Sequence, residues 1–392
     1  MSSPRGKTYI AAADLLRVFC VGTVAWFHIW QQSWLDPGFR LGGVFFDLQR
    51  IVRRGYMMVD VMLLLSGFLL YLPVARSARR GGEMPDTLDF YRRRLWRILP
   101  SYLLAVGAAL VFAVLYGPSA GSDPLWKDLL AHLTFTHTFW RGTYLWTSLN
   151  GVLWTLAVEM QFYLLFPLIA RAFRRHPLPV WAGMTALALV CRFLTAQVPD
   201  PSILFNQLPC MLDLYAFGML AAHSLAGREK KPRHWLYGLG SLVFLAGMVW
   251  VMWRQNPRDG RELQLMQLFW RLPLAVLGAG FLWCGGQWGP RLSRAVGNPA
   301  IRFLAAVSYN FYIWHQYLAV KLKQWHIPAY SAAELPQMTE GRLWQQKYTA
   351  VCFLAALALA ALVTYLWEKP IARWGLGRKR PRPDGESPAG GA

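Results

Sequence analysis

Apolar residues in this chain gather in blocks of about 18–25, separated by short polar stretches, which is the length a helix needs to cross a bilayer. Taken in order, the blocks predict ten spanning helices, at about residues 9–30, 56–75, 99–117, 150–171, 178–196, 204–226, 235–253, 263–284, 303–325 and 347–368. The expected fold class is therefore all-α, a polytopic membrane protein with about ten helices in one bundle. Pro73, Pro167, Pro209 and Pro273 fall inside blocks, where a spanning bundle accommodates them as kinks. Trp30, Trp34, Trp235, Trp253, Trp288 and Trp367 sit at block ends, as in an interfacial aromatic belt. Two stretches lie outside the spans. Residues 38–55, GFRLGGVFFDLQRIVRRG, are expected to form a short amphipathic helix on the surface. Residues 118–149, with His132, His137, Trp140 and Trp146, are expected to form an ordered cap rather than a lid.

Composition adds little to this pattern, but charge gives it an orientation. A net charge of +21 could signal a nucleic-acid partner. However, the Lys and Arg residues sit in the loops between apolar blocks, so the expected partner is the lipid bilayer and not nucleic acid. Most of them fall on one side: Arg76, Arg79 and Arg80, then Arg92, Arg93, Arg94 and Arg97, then Arg171, Arg174 and Arg175, and finally the basic C-terminal residues. That bias puts both termini in the cytoplasm and the chain in the plasma (inner) membrane as a multi-pass protein. The expected organisation is one membrane domain over residues 1–374 and a disordered basic tail over 375–392. The first block carries Asp14 and Arg17 and lacks a small-residue cleavage site, so it is expected to stay as a helix. Five cysteines without CxxC spacing point to neither a disulfide framework nor a zinc site, and no metal ligand set is expected.

Within the greasy blocks, ionisable groups mark a candidate site, because a charge at membrane depth is costly and usually faces the bundle interior. In the first block Arg17 and His28 lie about 20° apart around a helix and about 16 Å apart along it, with Asp14 one turn earlier on nearly the same face. The stripe reads either as a structural pin or as a site. Further polar groups are Asp60 and Ser66 in the second block, Glu159 in the fourth, Asp213 in the sixth and Arg271 in the eighth. Ser308, Tyr309, Tyr312 and His315 follow in the ninth, and Glu368 ends the tenth. One at a time these are ordinary interhelical hydrogen-bonding groups; as a set they need partners or a wet cavity. The basic loop Tyr91–Pro100 places Arg94 and Arg97 one turn apart, where two guanidiniums could clamp a phosphate or simply obey the positive-inside bias. No GxSxG nucleophile elbow, HExxH or phosphate-binding Gly-rich loop is read from the sequence. His28 is the candidate general base, with a carboxylate expected to hold its far nitrogen.

These stretches together resemble the acyltransferase family 3 membrane proteins. The resemblance is carried by Asp14, Arg17 and His28; by Val59-Asp60 with Ser66-Gly67-Phe68; and by the run Tyr91–Pro100. It continues through Leu153-Trp154-Thr155-Leu156 with Glu159, Gln161, Phe162 and Tyr163, through Ser308-Tyr309 with Tyr312 and His315, and through Glu368-Lys369-Pro370. It implies a membrane O-acyltransferase that moves an acyl group, often acetyl, from cytosolic acyl-CoA to a hydroxyl of a glycan, lipid or secondary metabolite. No cofactor is bound permanently. In that reading His28, Arg17, Asp14 and Glu159 are catalytic, and Arg92, Arg93, Arg94, Arg97 and Ser66 hold the donor. Asp60, Trp154, Tyr163, Ser308, Tyr309, Tyr312, His315 and Glu368 are structural or orient substrate. The alternative is a transporter or flippase using the same intramembrane charges.

Overall fold

The computed structural model describes residues 9–227, 234–255, 257, 259–330 and 342–377. Ten long helices account for most of it: α1 (Ala11–Ser33), α2 (Met58–Arg79), α3 (Thr87–Tyr116), α4 (Trp154–Arg175), α5 (Pro177–Gln197), α6 (Leu212–Ala226), α7 (His234–Arg254), α8 (Gly260–Gly285), α9 (Pro299–Gln324) and α10 (Leu343–Leu362). From α10 the chain runs on through a π-helical stretch, Val363–Glu368, into Lys369–Leu376. Pro370 lacks the amide that would close the preceding turn, and the backbone widens just ahead of it.

Nine helices among the described residues are long and apolar enough to cross a membrane. The remaining long helix, α9, carries Ser308, Asn310, His315, Lys321 and Lys323. It nevertheless runs the same depth as α1. Near its start Arg302 lies over the Tyr9 ring at 4.7 Å, and near its end Lys323 Nζ donates to Gln32 O at 2.7 Å. The molecule is thus an all-α polytopic bundle. Contacts between helix ends and loops define its two faces. On one, Arg92 Nη2 donates to Gly375 O at 2.9 Å and Arg171 Nη2 to Thr87 Oγ1 at 2.6 Å. On the other, Arg141 pairs with Asp200, and Arg342 Nη1 donates to Asp36 O at 3.3 Å. The first face holds Tyr9 and Gly375.

Local sequence explains where several elements begin. Asp86, Asp259 and Asn298 each cap the helix that follows by accepting from a backbone amide three residues on. α2 and α6 cross closely because both present glycine at the contact: a Cβ at Gly67 would lie 2.5 Å from Tyr215 O, and one at Gly218 would lie 2.8 Å from Phe68 N. Among the described residues two Arg–Asp pairs are buried between the long helices, Arg271 Nε with Asp60 Oδ1 at 3.3 Å, and Arg192 with Asp213.

Three expectations are corrected. Residues 38–55 do not form one surface helix. They fold as an antiparallel hairpin of β1 (Gly38–Leu41) and β2 (Val44–Asp47), followed by the single turn Gln49–Val52. Gly42 and Gly43 both have positive φ, +55° and +84°, as a two-residue hairpin turn requires. Tyr91–Pro100 is not a loop but part of the first turns of α3, nucleated at the Asp86 cap. The final helix continues to Leu376, past the expected end of the membrane domain at 374, and residues 378–392 of the expected tail lie outside the described residues. Residues 118–149 contain the short helices Leu125–Leu133 and Arg141–Tyr144. They are anchored on Asp128, which accepts from Thr147 Oγ1 and Ser148 N at 2.8 Å each.

Candidate functional site

Two cavities lie along the bundle, and three helices contribute to both in the same sense. The first, of about 160 Å³, is lined on α1 by Arg17 and Val21, on α4 by Thr155, Leu156, Glu159 and Tyr163, and on α9 by Ala305, Ser308, Tyr309 and Tyr312. Ser66 of α2, Arg94 and Arg97 of α3, and Glu368 complete it. The second, of about 340 Å³, is lined by His28 of α1, by Trp154 at the start of α4 with Gly151 and Val152 before it, and by Gln316 of α9. Tyr144 and Leu145 of the cap, Ser202 and Phe205 of the loop before α6, and Gln264 of α8 close it. On every shared helix the second-cavity residues lie farther toward the face of Asp36 and Asp200. The cavities are therefore stacked end to end, one toward each membrane face.

The first cavity carries an excess of positive charge. Arg17, Arg94 and Arg97 bring three guanidiniums against the two carboxylates of Glu159 and Glu368. Among the described residues none of the three is tied down by an ion pair or side-chain hydrogen bond; Arg94 only lies over the rings of Phe90 and Tyr163, at 5.6 and 5.7 Å. Both carboxylates are engaged instead by neutral groups. Ser66 Oγ and Tyr163 OH donate to Glu159 Oε1, each at 2.5 Å, and Asn310 Nδ2 donates to Glu368 Oε2 at 2.6 Å. Glu159 acts on Arg17 and Arg94, and Arg97 on Glu368, through charge without a direct ion pair, while the Ser66 proton is committed to Glu159. Tyr309 OH donates to Ile98 O at 3.0 Å and holds α9 against the basic turns of α3. Ser308 Oγ donates to Ala305 O at 2.9 Å.

Beside the second cavity His28 Nδ1 stands 2.8 Å from His315 Nε2. His315 Nδ1 in turn lies 2.6 Å from Tyr312 O. A carbonyl only accepts, so His315 Nδ1 carries the proton, its Nε2 is the acceptor, and His28 Nδ1–H donates to it. This tautomer leaves the lone pair on His28 Nε2. The carboxylate expected to orient His28 is thus replaced by a second imidazole, made possible because α1 and α9 run side by side.

The remaining expected residues divide in two. Arg92 and Arg93 do not reach the first cavity: Arg92 clips the final helix at Gly375, and Arg93 pairs with Asp89 on the surface. Asp14 lines neither cavity and faces Tyr9, whose phenol burial raises above its ordinary value, as does the neighbouring Asp14, against the lowering effect of Arg302. Asp60 is bound to Arg271, and Arg271 reaches on to the loop before α6, donating to Phe205 O and, at 2.5 Å, to Asn206 Oδ1. Asn206 Nδ2 donates to Tyr144 OH at 2.9 Å. Sequence reasoning noticed Asp60 and Arg271 separately and missed Asn206, Tyr144, Gln264 and Gln316, which are unremarkable polar residues in loops and at helix ends. Their only signal was proximity to charged positions.

Residues 10–365 match the family model described as Acyltransferase domain. O-acetyltransferase OatA of Staphylococcus aureus (strain NCTC 8325 / PS 47) is 30% identical over 176 residues, 43% of this chain and 25% of that protein. Acyltransferase MdmB of Streptomyces mycarofaciens is 31% identical over 190 residues, 47% of this chain and 46% of that protein. The matched stretch thus spans less than half the length of either relative. No solved structure matches the chain.

Proposed function

The chain belongs to this family of membrane acyltransferases, and we propose that it is an O-acyltransferase that takes an acyl group, acetyl in the simplest case, from acyl-CoA and transfers it to a hydroxyl on the far side of the bundle. The observation that carries this reading is the pair of stacked cavities, one with three unpaired guanidiniums and the other with the free His28 Nε2. The phosphates of CoA suit Arg94 and Arg97 at the mouth of the first cavity, since charge-assisted hydrogen bonds from guanidinium to phosphate are strong and directional. The thioester arm then points along the cavity past Arg17 toward the second cavity. The acceptor enters from the opposite face, among Trp154, Tyr144, Gln264 and Gln316, a mixture of aromatic rings and amides suited to a hydroxyl-rich molecule.

In the reaction His28 Nε2 takes the proton of the acceptor hydroxyl as its oxygen attacks the thioester carbonyl. The new C–O bond forms, the C–S bond breaks with its electron pair on sulfur, and the proton returns to give the free thiol. Arg17 is the group placed to meet negative charge developing on the carbonyl oxygen. The positive-inside bias assigns the first cavity to the cytosol, where acyl-CoA is made, so the group would cross the membrane plane as it is transferred. Membranes carrying the wild-type chain should pass radiolabel from acetyl-CoA to a membrane or medium product, and His28→Ala should lower that rate by about 10²–10⁴. Equal label transfer by both chains would overturn the assignment.

A further inference from the structure

A third cavity, of about 240 Å³, lies beside the first, between α1, α9 and α10. Val18, Val21 and Gly22 of α1, Ser308 and Phe311 of α9, and Leu357 of α10 are among its walls. Ser308 brings the one hydroxyl in its lining, and that hydroxyl already donates to Ala305 O. The space is thus apolar and asks for no polar partner. Two of its wall residues, Val21 and Ser308, also line the first cavity, so only these side chains stand between the two spaces. Val21 and Gly22 stand between Arg17 and His28 on α1, about 9 Å short of His28 by the helical rise.

From this geometry we infer that the third cavity receives the alkyl chain of the donor, and that the enzyme accepts acyl-CoA thioesters longer than acetyl. The inference rests on the donor reading above. An acetyl group ends at its methyl and leaves the cavity unused. A longer chain continues sideways at Val21 and Ser308, away from the charged groups of the first cavity. A water-sized group occupies roughly 30 Å³ of liquid, so the volume holds several methylenes. Gly22 keeps it open: a Cβ added there meets nothing within 4 Å, so a side chain at this position fills the cavity without disturbing the backbone.

The test uses the full chain purified in detergent and the thioether analogues S-ethyl-, S-butyl-, S-hexyl- and S-octyl-CoA, which cannot be hydrolysed or transferred. Burial of each methylene tightens binding by up to about fourfold. The wild type is expected to bind S-hexyl-CoA at least about tenfold more tightly than S-ethyl-CoA. Gly22→Leu is expected to bind S-ethyl-CoA as the wild type does while losing the gain with chain length. A wild-type series flat from ethyl to octyl would show that the space holds only bilayer lipid and would overturn the inference. An undiminished gain in Gly22→Leu would overturn it too, by placing the chain elsewhere or in the micelle. Failure of the wild type to bind S-ethyl-CoA at all is a separate result, which removes the donor reading itself.

Discussion

The hydrogen bond from His315 to the Tyr312 carbonyl fixes the tautomer of the His28–His315 pair, so in the proposed reaction His315 is a positioning residue whose side-chain acceptor matters more than its bulk. Replacing it with an apolar residue, His315→Leu, should lower kcat by about 10–100-fold, the usual cost of losing a partner that orients a functional imidazole, with little change in KM for the donor. His315→Gln keeps an acceptor near the Nε2 position and should recover part of the loss; equal kcat for the two variants would reduce His315 to packing. The Arg94 and Arg97 guanidiniums are expected to act on binding. Arg94→Ala with Arg97→Ala should raise the apparent KM for acetyl-CoA by about tenfold or more, given the strength of hydrogen bonds to charged groups. An unchanged KM would return both residues to topology. Arg92→Ala makes a useful control, since its guanidinium is spent on Gly375 O.

Among elements, α2 and α8 carry the buried charge that shapes the second cavity. Asp60 on α2 compensates Arg271 on α8, and Arg271 holds Phe205, a wall residue of the cavity, together with its neighbour Asn206. Removing one partner of a buried pair strands the other, so Arg271→Met should destabilise the protein by about 3–5 kcal/mol, visible as a lower midpoint of thermal unfolding in detergent. Asp60→Asn with Arg271→Met together should cost less than Arg271→Met alone; a larger loss in the double variant would contradict the pairing. The close crossing of α2 on α6 depends on glycine in the same way that a core depends on volume. Gly67→Ala would press a methyl against the Tyr215 backbone, which cannot swing aside as a side chain would. About 1–3 kcal/mol of overpacking cost is expected, again read from thermal unfolding. The Ser-Gly-Phe segment thus combines two tasks: Ser66 donates to Glu159 inside the first cavity, and Gly67 sets the spacing of the helices behind it.

For the molecule as a whole, the stacking of the two cavities makes sidedness the central property. If the basic face is cytosolic, a cysteine introduced at Gly42 in the hairpin should react with a membrane-impermeant maleimide added to intact cells. One at Gly81, in the loop after α2, should react only after the membrane is opened. The reverse pattern would place the guanidinium cavity outside, away from cytosolic acyl-CoA. The native cysteines should contribute little background, because four of the five are buried.

By itself the sequence determined the class of the molecule and the polar positions from which a candidate site is built. Block length and the cost of charge in hydrocarbon are local properties, readable along one chain, and they identified the helices and singled out Arg17, His28, Glu159, Arg94, Arg97 and Glu368. The hairpin was also locally encoded, in Gly42-Gly43, but the apolar and basic residues around it gave a competing helical pattern. Only the tertiary structure decided pairing. His28 and His315, or Asp60 and Arg271, stand hundreds of residues apart, and nothing in their spacing says that α1 lies beside α9 or α2 beside α8. Partnership also separates residues that look alike in sequence. Arg92 and Arg93 differ from Arg94 and Arg97 only in the direction each points from α3, which one helical turn fixes. Cavities are the last thing to be decided, because a void is defined by every wall at once. The division of the polar seam into a charged cavity, a far cavity at His28 and an apolar side pocket at Gly22 exists only in the packed bundle.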